Sequence, residues 1–171
     1  ERIWEDHMKT IVFDTAEALG AKAGADSVAR IRQAISEHGE ASIIVATGMS
    51  QFAVLEILVQ APDVKWDKVT AFHLDEYIGI SEAHPASFRK YLRERFVERL
   101  SGELADFHYI SGEGDCAAEC RRIGDLISRK RIDLCLAGVG ENGHLAFNDP
   151  PADFETDAPY LVDDLDEAVA H

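Results

Sequence analysis

Two short segments of this 171-residue chain hold side chains whose types and spacing suit acid–base chemistry. His144 directly follows a glycine-rich turn, residues 138–143, and an imidazole held by hydrogen-bonding neighbours can give or take a proton near neutral pH. Asp75 and Glu76 are adjacent carboxylates after an apolar run, where partial burial would raise the pKa of Asp75 toward that of a useful base. Each segment alone is common in solvated loops, so function depends on whether the fold brings them together.

A third segment, residues 47–50, could bind an anion. Thr47, Gly48, Met49 and Ser50 lie between an apolar run and a helical pattern. Hydroxyls and backbone N–H groups at the start of a helix can hold a phosphate, although a simple serine N-cap would also explain the pattern. Together the three segments offer an anion site, a carboxylate and a histidine, a combination that suits proton transfer on a phosphorylated sugar.

The glycine turn also matches the letters of a dinucleotide-binding fingerprint, G-x-G-x-x-G. That site needs a helix that begins within the turn, whereas Pro150 and Pro151 follow within about two turns and would stop it. No convincing strand leads to Asp163 or Asp164, which have the spacing of a ribose-binding acid. We therefore interpret the glycines as permitting a sharp turn with exposed N–H groups, and we place Gly140 among the substrate-binding residues.

Charge and cysteine content exclude several classes of protein. The formal net charge of −15 argues against a nucleic-acid partner, because binding phosphates along a strand needs clustered Lys and Arg. No apolar run is long enough to span a membrane, and the first residues do not resemble a signal peptide. Cys116, Cys120 and Cys135 are odd in number and lack zinc-site spacing, so we expect free thiols in a reducing cytoplasm and no metal.

Apolar runs alternate with helical patterns along the chain. Strands are predicted at residues 10–14, 41–46, 68–75, 106–110 and 132–139, and helices at 15–38, 51–60, 84–100 and 116–130. Short, continuously apolar strands separated by helices predict an α/β fold with a mostly parallel sheet, right-handed crossovers and helices on both faces. Ligands of such sheets bind at the carboxyl ends of the strands, so all three polar segments should share one rim.

The motifs on that rim resemble one known family. FHLDEYIG followed by HPASF, and GVGENGHLAFNDP, closely resemble segments of the glucosamine-6-phosphate deaminase/isomerase family, and ATGMS is similar to its phosphate loop. The likeness runs from about residue 9 to residue 150. It implies a Rossmann-like three-layer sandwich that converts an amino-sugar phosphate into a ketose phosphate and ammonia without a cofactor.

The resemblance also implies a role for each site residue. His144 would protonate the ring oxygen and open the pyranose, and Asp75 would take the C2 proton and return it at C1. Asn142 and Asp149 would orient His144. Substrate and phosphate would be held by Thr47, Gly48, Met49, Ser50, Glu76 and Gly140. The expected partner is a small sugar phosphate, with no nucleic acid and no membrane, and the family permits a homo-oligomer.

Some positions depart from the family pattern and leave alternatives open. Well-studied deaminases have Asp in place of Asn142, Glu in place of Asp149 and Pro in place of Gln51. Related 6-phosphogluconolactonases share the fold but typically read D-E-R at residues 75–77 and GHTASLF after the glycine turn, so the isomerase reading is favoured over a lactonase. A non-catalytic sugar-phosphate-binding effector module is the third alternative.

Length bears on the domain organisation. Family members continue well beyond this point and use Lys and Arg from their last third to hold the phosphate, whereas no Lys or Arg follows Arg131. We therefore expect residues 1–171 to form a single α/β domain that lacks the family's C-terminal third.

Overall fold

A four-stranded, entirely parallel sheet lies at the centre of the chain, which a computed structural model describes over residues 9–140, 143–148 and 152–163. The strands are β1 (Ala41–Val45), β2 (Val69–His73), β3 (Asp106–His108) and β4 (Leu134–Cys135), in the spatial order β3-β2-β1-β4. β1 and β2 pair along their full lengths, from Ala41 beside Val69 to Val45 beside His73.

Four α-helices accompany the sheet in the described part of the chain. They are α1 (Ala16–His38), α2 (Phe52–Gln60), α3 (Phe88–Arg95) and α4 (Cys116–Ile127), with 3-10 turns at Met49–Gln51, Trp66–Lys68 and Val97–Arg99. Thr15 caps the start of α1 by accepting a hydrogen bond from the backbone N–H of Ala18. Gly39 ends that helix in the left-handed conformation, with φ of 82°.

The strand order places helices on both faces of the sheet. β2 lies beside β1, and β3 lies on the far side of β2, so both connections run toward the same edge of the sheet. Right-handed crossovers therefore put α2 and α3 on the same face. β4 then returns to the other side of β1, so α4 must cover the opposite face. In agreement, Leu58 of α2 and Leu92 of α3 share one core with Ala71 of β2. The three-layer α/β sandwich expected from the sequence is confirmed.

The predicted strand at residues 10–14 is wrong. These residues form irregular chain ahead of α1, and Val12 is 87% exposed. The apolar residues of this run predicted a strand, but a strand forms only where such residues pack against a neighbouring strand. The predicted helix at 84–100 is also shorter, since Ser87 accepts a hydrogen bond from the N–H of Lys90 and starts α3 at Phe88.

Two glycines let α1 approach α2 closely. A Cβ placed on Gly20 would lie 2.2 Å from the Cβ of Ala53 and 3.2 Å from its Cα, and one on Gly24 would lie 2.5 Å from the Cβ of Ile57. The absence of a Cβ at these two positions therefore sets the distance between α1 and α2.

Gly20→Ala is expected to destabilise the protein although alanine favours helices. Overpacking costs about 1–3 kcal/mol and helix propensity returns about 1 kcal/mol, so we expect a net loss of up to about 2 kcal/mol in the free energy of unfolding measured with urea. Ala53→Gly frees the space that the new methyl group needs. The double variant should therefore lose less stability than the two single variants lose together. Strict additivity of the two losses would contradict the close approach of the helices.

Candidate active site

A cavity of about 760 Å³ opens beyond the carboxyl end of β2. Its walls come from the segments that follow β2 and β3, from α4, and from residues 145–148 and 152–163. Side chains from all of these segments line it, among them Asp75, Tyr77, Ile110, Cys120, Phe147 and Tyr160. The cavity therefore lies at the end of the sheet where ligands of parallel α/β folds bind.

Asp75 contributes a buried carboxyl group to this cavity. It lies two residues after the end of β2, and its Oδ1 atom is buried without a hydrogen-bond partner among the described residues. Burial raises its pKa to about 7, and the neighbouring charge of Glu76 adds to the effect. Near neutral pH this carboxyl exists in both protonation states, as a general base and acid requires.

Glu76 lies next to it but in a very different environment. Its side chain is fully buried, and Oε1 accepts hydrogen bonds from the N–H groups of Tyr77 at 2.9 Å and Phe88 at 3.1 Å. Oε2 accepts from the Ser87 hydroxyl at 3.2 Å and the Arg89 N–H at 2.9 Å. Glu76 thus fastens the end of β2 to the first turn of α3, and its expected contact with substrate stays a prediction.

Residues 152–163, here called the cover segment, close one side of the cavity. The Tyr160 hydroxyl donates a 2.8 Å hydrogen bond to the backbone carbonyl of His73, the last residue of β2. The Pro159 ring packs over Gly124 of α4. Burial raises the pKa of Tyr160, so this phenol keeps its proton near neutral pH. The cover segment therefore links the end of β2 to α4 around the cavity that holds Asp75.

His144 lies in a tight turn after β4. The Gly140 N–H donates to the His144 carbonyl at 2.9 Å, and Val139 forms an antiparallel bridge with Leu145. A Cβ on Gly140 would lie 2.2–2.6 Å from three atoms of the imidazole, so the ring packs directly on this glycine. Leu145 lines the cavity, whereas His144 is not among its described lining residues. Convergence of His144 with Asp75 stays a prediction, and Asn142 and Asp149 lie outside the described residues.

The predicted phosphate loop follows β1, beside the turn after β4. Gly48 has φ of 103° and its carbonyl accepts a 3.2 Å hydrogen bond from the Tyr91 hydroxyl. The Ser50 hydroxyl accepts from Gln51 Nε2 at 3.1 Å, and Gln51 occupies the position where the family usually has proline. Thr47 is half-buried, whereas Met49 is exposed. A Cβ on Gly138 would lie 3.5 Å from Ser50 Oγ, so the loops after β1 and β4 adjoin.

Sequence reasoning missed an aromatic cluster of which Tyr77 and Phe147 line the cavity. The rings of Tyr77, Phe88 and Phe147 pack together with centroid separations of 4.9–5.6 Å. Ala146 precedes Phe147 with φ of 56°, an uncommon conformation for a residue with a side chain. These residues come from three separate segments, so no local pattern could have predicted their contact.

Within residues 9–140, 143–148 and 152–163, no group of three or more His, Cys, Asp or Glu side chains is placed to hold a metal ion. No helix there combines the length and the apolar character that crossing a bilayer requires.

Asp75→Asn is expected to stabilise the protein at alkaline pH. Because the pKa rises from 3.8 in the unfolded chain to about 7 on folding, wild-type stability should fall as pH rises from about 4 to 7 and then level off. Asparagine carries no charge to bury. Each tenfold change in acid dissociation is worth about 1.4 kcal/mol, so the gain at pH 8 has an upper limit of about 4 kcal/mol.

Urea denaturation at pH 4.5 and pH 8 measures this difference. Asp125→Asn, which changes an exposed aspartate of α4, is the matched control and should alter stability by less than about 0.5 kcal/mol at either pH. An Asp75→Asn variant with the same pH dependence as wild type would show that Asp75 is not buried as a weak acid.

Tyr160→Phe is expected to loosen the cover segment. Loss of one hydrogen bond costs about 1 kcal/mol, which would raise the open fraction and the rate of limited proteolysis within residues 152–163 about fivefold. Tyr109→Phe is the control, because Tyr109 contacts His73 through its ring and lies outside the cover segment. Equal cleavage of both variants and wild type would contradict the anchoring role of the Tyr160 hydroxyl.

Comparison with known proteins places these features in a family. The family model described as glucosamine-6-phosphate isomerases/6-phosphogluconolactonase matches residues 14–162. The glucosamine-6-phosphate deaminase of Hahella chejuensis is 35% identical over 147 residues, covering 84% of this chain and 55% of that protein. Glucosamine-6-phosphate deaminase 2 of Bacillus subtilis is 34% identical over 134 residues, covering 75% and 54%. The chain thus spans about half the length of the curated relatives it matches.

Solved structures agree with this assignment. A monomeric glucosamine-6-phosphate deaminase superposes with a TM-score of 0.78 and 30% identity, covering 87% of this chain and 62% of the other. A 6-phosphogluconolactonase from Shewanella baltica superposes with a TM-score of 0.67 and 22% identity, covering 78% and 57%, and shows the shared fold. The family expected from the motifs is confirmed: the chain belongs to the glucosamine-6-phosphate isomerase/6-phosphogluconolactonase family.

Proposed function

We propose that the protein converts glucosamine 6-phosphate and water into fructose 6-phosphate and ammonia, by aldose–ketose isomerisation with deamination. The supporting observation is Asp75, a buried carboxyl group with a pKa of about 7 and an unpartnered oxygen in the wall of the cavity. A base that exchanges a proton with carbon must be poised near neutral pH, and Asp75 meets this requirement.

In the proposed reaction, Asp75 carries a proton from C2 of the sugar to C1. In the open-chain sugar, the Asp75 carboxylate takes the proton from C2, and the electron pair of the C2–H bond forms a double bond between C1 and C2. The C1 carbonyl oxygen takes up a proton from the 2-ammonium group, which gives an enolamine. The same carboxyl returns its proton to C1, which leaves an iminium group at C2. Water adds to that carbon and ammonia leaves, giving the ketose. No oxidant or reductant takes part.

The remaining roles are proposed from the resemblance of the motifs to the family. His144 opens the sugar ring by protonating its oxygen, and Asn142 and Asp149 orient the imidazole. Residues 47–50 hold the phosphate, where Gly48 and Ser50 lie at the start of a 3-10 turn that leads into α2. Glu76 and Gly140 complete the predicted substrate set. The anion would thus bind beside β1 while the reacting carbons face Asp75 beside β2.

A cytoplasmic location, classification as a hydrolase and a single domain over residues 1–171 belong to the same proposal. The location is supported by the three free thiols of Cys116, Cys120 and Cys135, which a reducing compartment would preserve.

Asp75→Asn should lower the rate of ammonia and fructose 6-phosphate formation by about 10²–10⁴-fold, the usual contribution of a general base. In the wild-type protein, kcat/KM should fall below pH 7, because protonation of Asp75 removes the base. A coupled assay of both products across pH 5–9 measures these effects. It uses the full-length protein, with Asp125→Asn as control.

The substrates offered in this assay separate the alternatives. Ketose without ammonia would indicate a neutral aldose phosphate as substrate, and acid release from 6-phosphogluconolactone would indicate a lactonase. A thermal shift with sugar phosphate but no turnover would indicate an effector module. Equal activity of Asp75→Asn and wild type would contradict the proposed base.

A further inference from the structure

We propose that Glu76 is a positioning residue for Asp75: it fixes the end of β2 to the first turn of α3 so that the Asp75 side chain enters the cavity with a negative charge beside it. The catalytic consequence rests on the proposed function, whereas the structural and electrostatic relation between the two residues does not.

The contacts of Glu76 leave its carboxylate little freedom. Three backbone N–H groups and one hydroxyl already donate to its two oxygens, and its side chain is fully buried. Two of those N–H groups belong to the first turn of α3, where the helix dipole favours a negative charge. To reach a ligand, Glu76 would have to abandon these hydrogen bonds and leave the N–H groups of Phe88 and Arg89 without this acceptor.

Arg89 strengthens this anchor from the other side. Its Nε lies 3.6 Å from Glu76 Oε2, and its Nη2 donates to Glu113 at 2.9 Å and to the Ile80 carbonyl at 3.4 Å. Arg89 itself is 8% exposed. The guanidinium therefore joins the segments after β2 and β3, which together form two walls of the cavity.

Anchoring Glu76 also directs its neighbour. Asp75 is joined to Glu76 by a single peptide unit, so holding Glu76 against α3 fixes the backbone from which the Asp75 side chain reaches the cavity. Asp75 receives no hydrogen bond at Oδ1 from the described residues. The carboxyl that is fully satisfied thus holds in place the one that is not.

Glu76 is also the neighbour that brings charge to Asp75. The other titratable groups that interact with Asp75 are Tyr77 on the same segment, Cys135 on β4 and Tyr160 on the cover segment. Burial raises the pKa of all three, so they are neutral near pH 7. Among the described groups that act on Asp75, the Glu76 carboxylate therefore supplies the charge that opposes its ionisation.

The test is a ¹³C NMR titration of the Asp75 carboxyl, assigned with Asp75→Asn, in wild type and Glu76→Gln. Glutamine keeps the size of the side chain and removes the charge, so Asp75 should become a roughly tenfold stronger acid. Ser87→Ala removes one hydrogen bond to Glu76 and the N-cap of α3 but keeps the charge of Glu76. Glu113→Gln removes the charge on the far side of Arg89. Both controls should leave the titration of Asp75 unchanged.

Each outcome decides the proposal. An unchanged Asp75 titration in Glu76→Gln overturns it, as does an equally large change in Ser87→Ala, which would assign the effect to local loosening. If Glu76→Gln does not fold, Glu76→Asp keeps the charge but shortens the anchor. Asp75 should then remain a weak acid, and a titration that falls to the range of an exposed aspartate overturns the electrostatic role.

Kinetics separates this proposal from the proposed function. If wild type turns over glucosamine 6-phosphate, Glu76→Gln should move the acid limb of the kcat/KM profile to lower pH. The shift should equal the change in the Asp75 titration midpoint measured by NMR. A purely structural role would lower activity at every pH and leave the limb in place. If wild type shows no turnover, the proposed function fails while the NMR titration still decides the role of Glu76.

Discussion

Two carboxylates side by side at the end of β2 determine the character of this site. Burying a carboxylate is expensive unless hydrogen bonds compensate it, and the two neighbours meet this constraint in opposite ways. Glu76 receives four hydrogen bonds and an arginine, whereas Asp75 Oδ1 receives none from the described residues. The unsatisfied group keeps a high proton affinity, which makes the pair a structural anchor joined to a reactive acid.

The fold supplies what this arrangement needs. A parallel sheet brings the loops after β1, β2 and β4 to one edge, and the reversal of chain direction between β3 and β4 puts α4 on the face opposite α2 and α3. α3 offers its N-terminus to Glu76, while α4 and the cover segment enclose the cavity into which Asp75 opens. The surroundings of Asp75 therefore depend on helices from both faces of the sheet.

The sequence predicted most of this framework because its signals are local. The apolar runs of β1 and β2 and the helix pattern of α1 identify elements whose burial follows from their own residues, and burial of Asp75 follows from its place after such a run. The contact of Tyr160 with His73 joins residues 87 positions apart, and no local pattern encodes it. The false strand at 10–14 shows the reverse case, in which a local pattern had no packing partner in the described chain.

The proposed function requires that a carboxyl group at the end of β2 carries a proton from C2 to C1 of an amino-sugar phosphate. Conversion of glucosamine 6-phosphate that bears deuterium at C2 tests it most directly, with the product examined by NMR. A buried Asp75 should deliver part of the deuterium to C1 of fructose 6-phosphate before exchange with water. Ketose with no deuterium at C1 would contradict a shielded carrier.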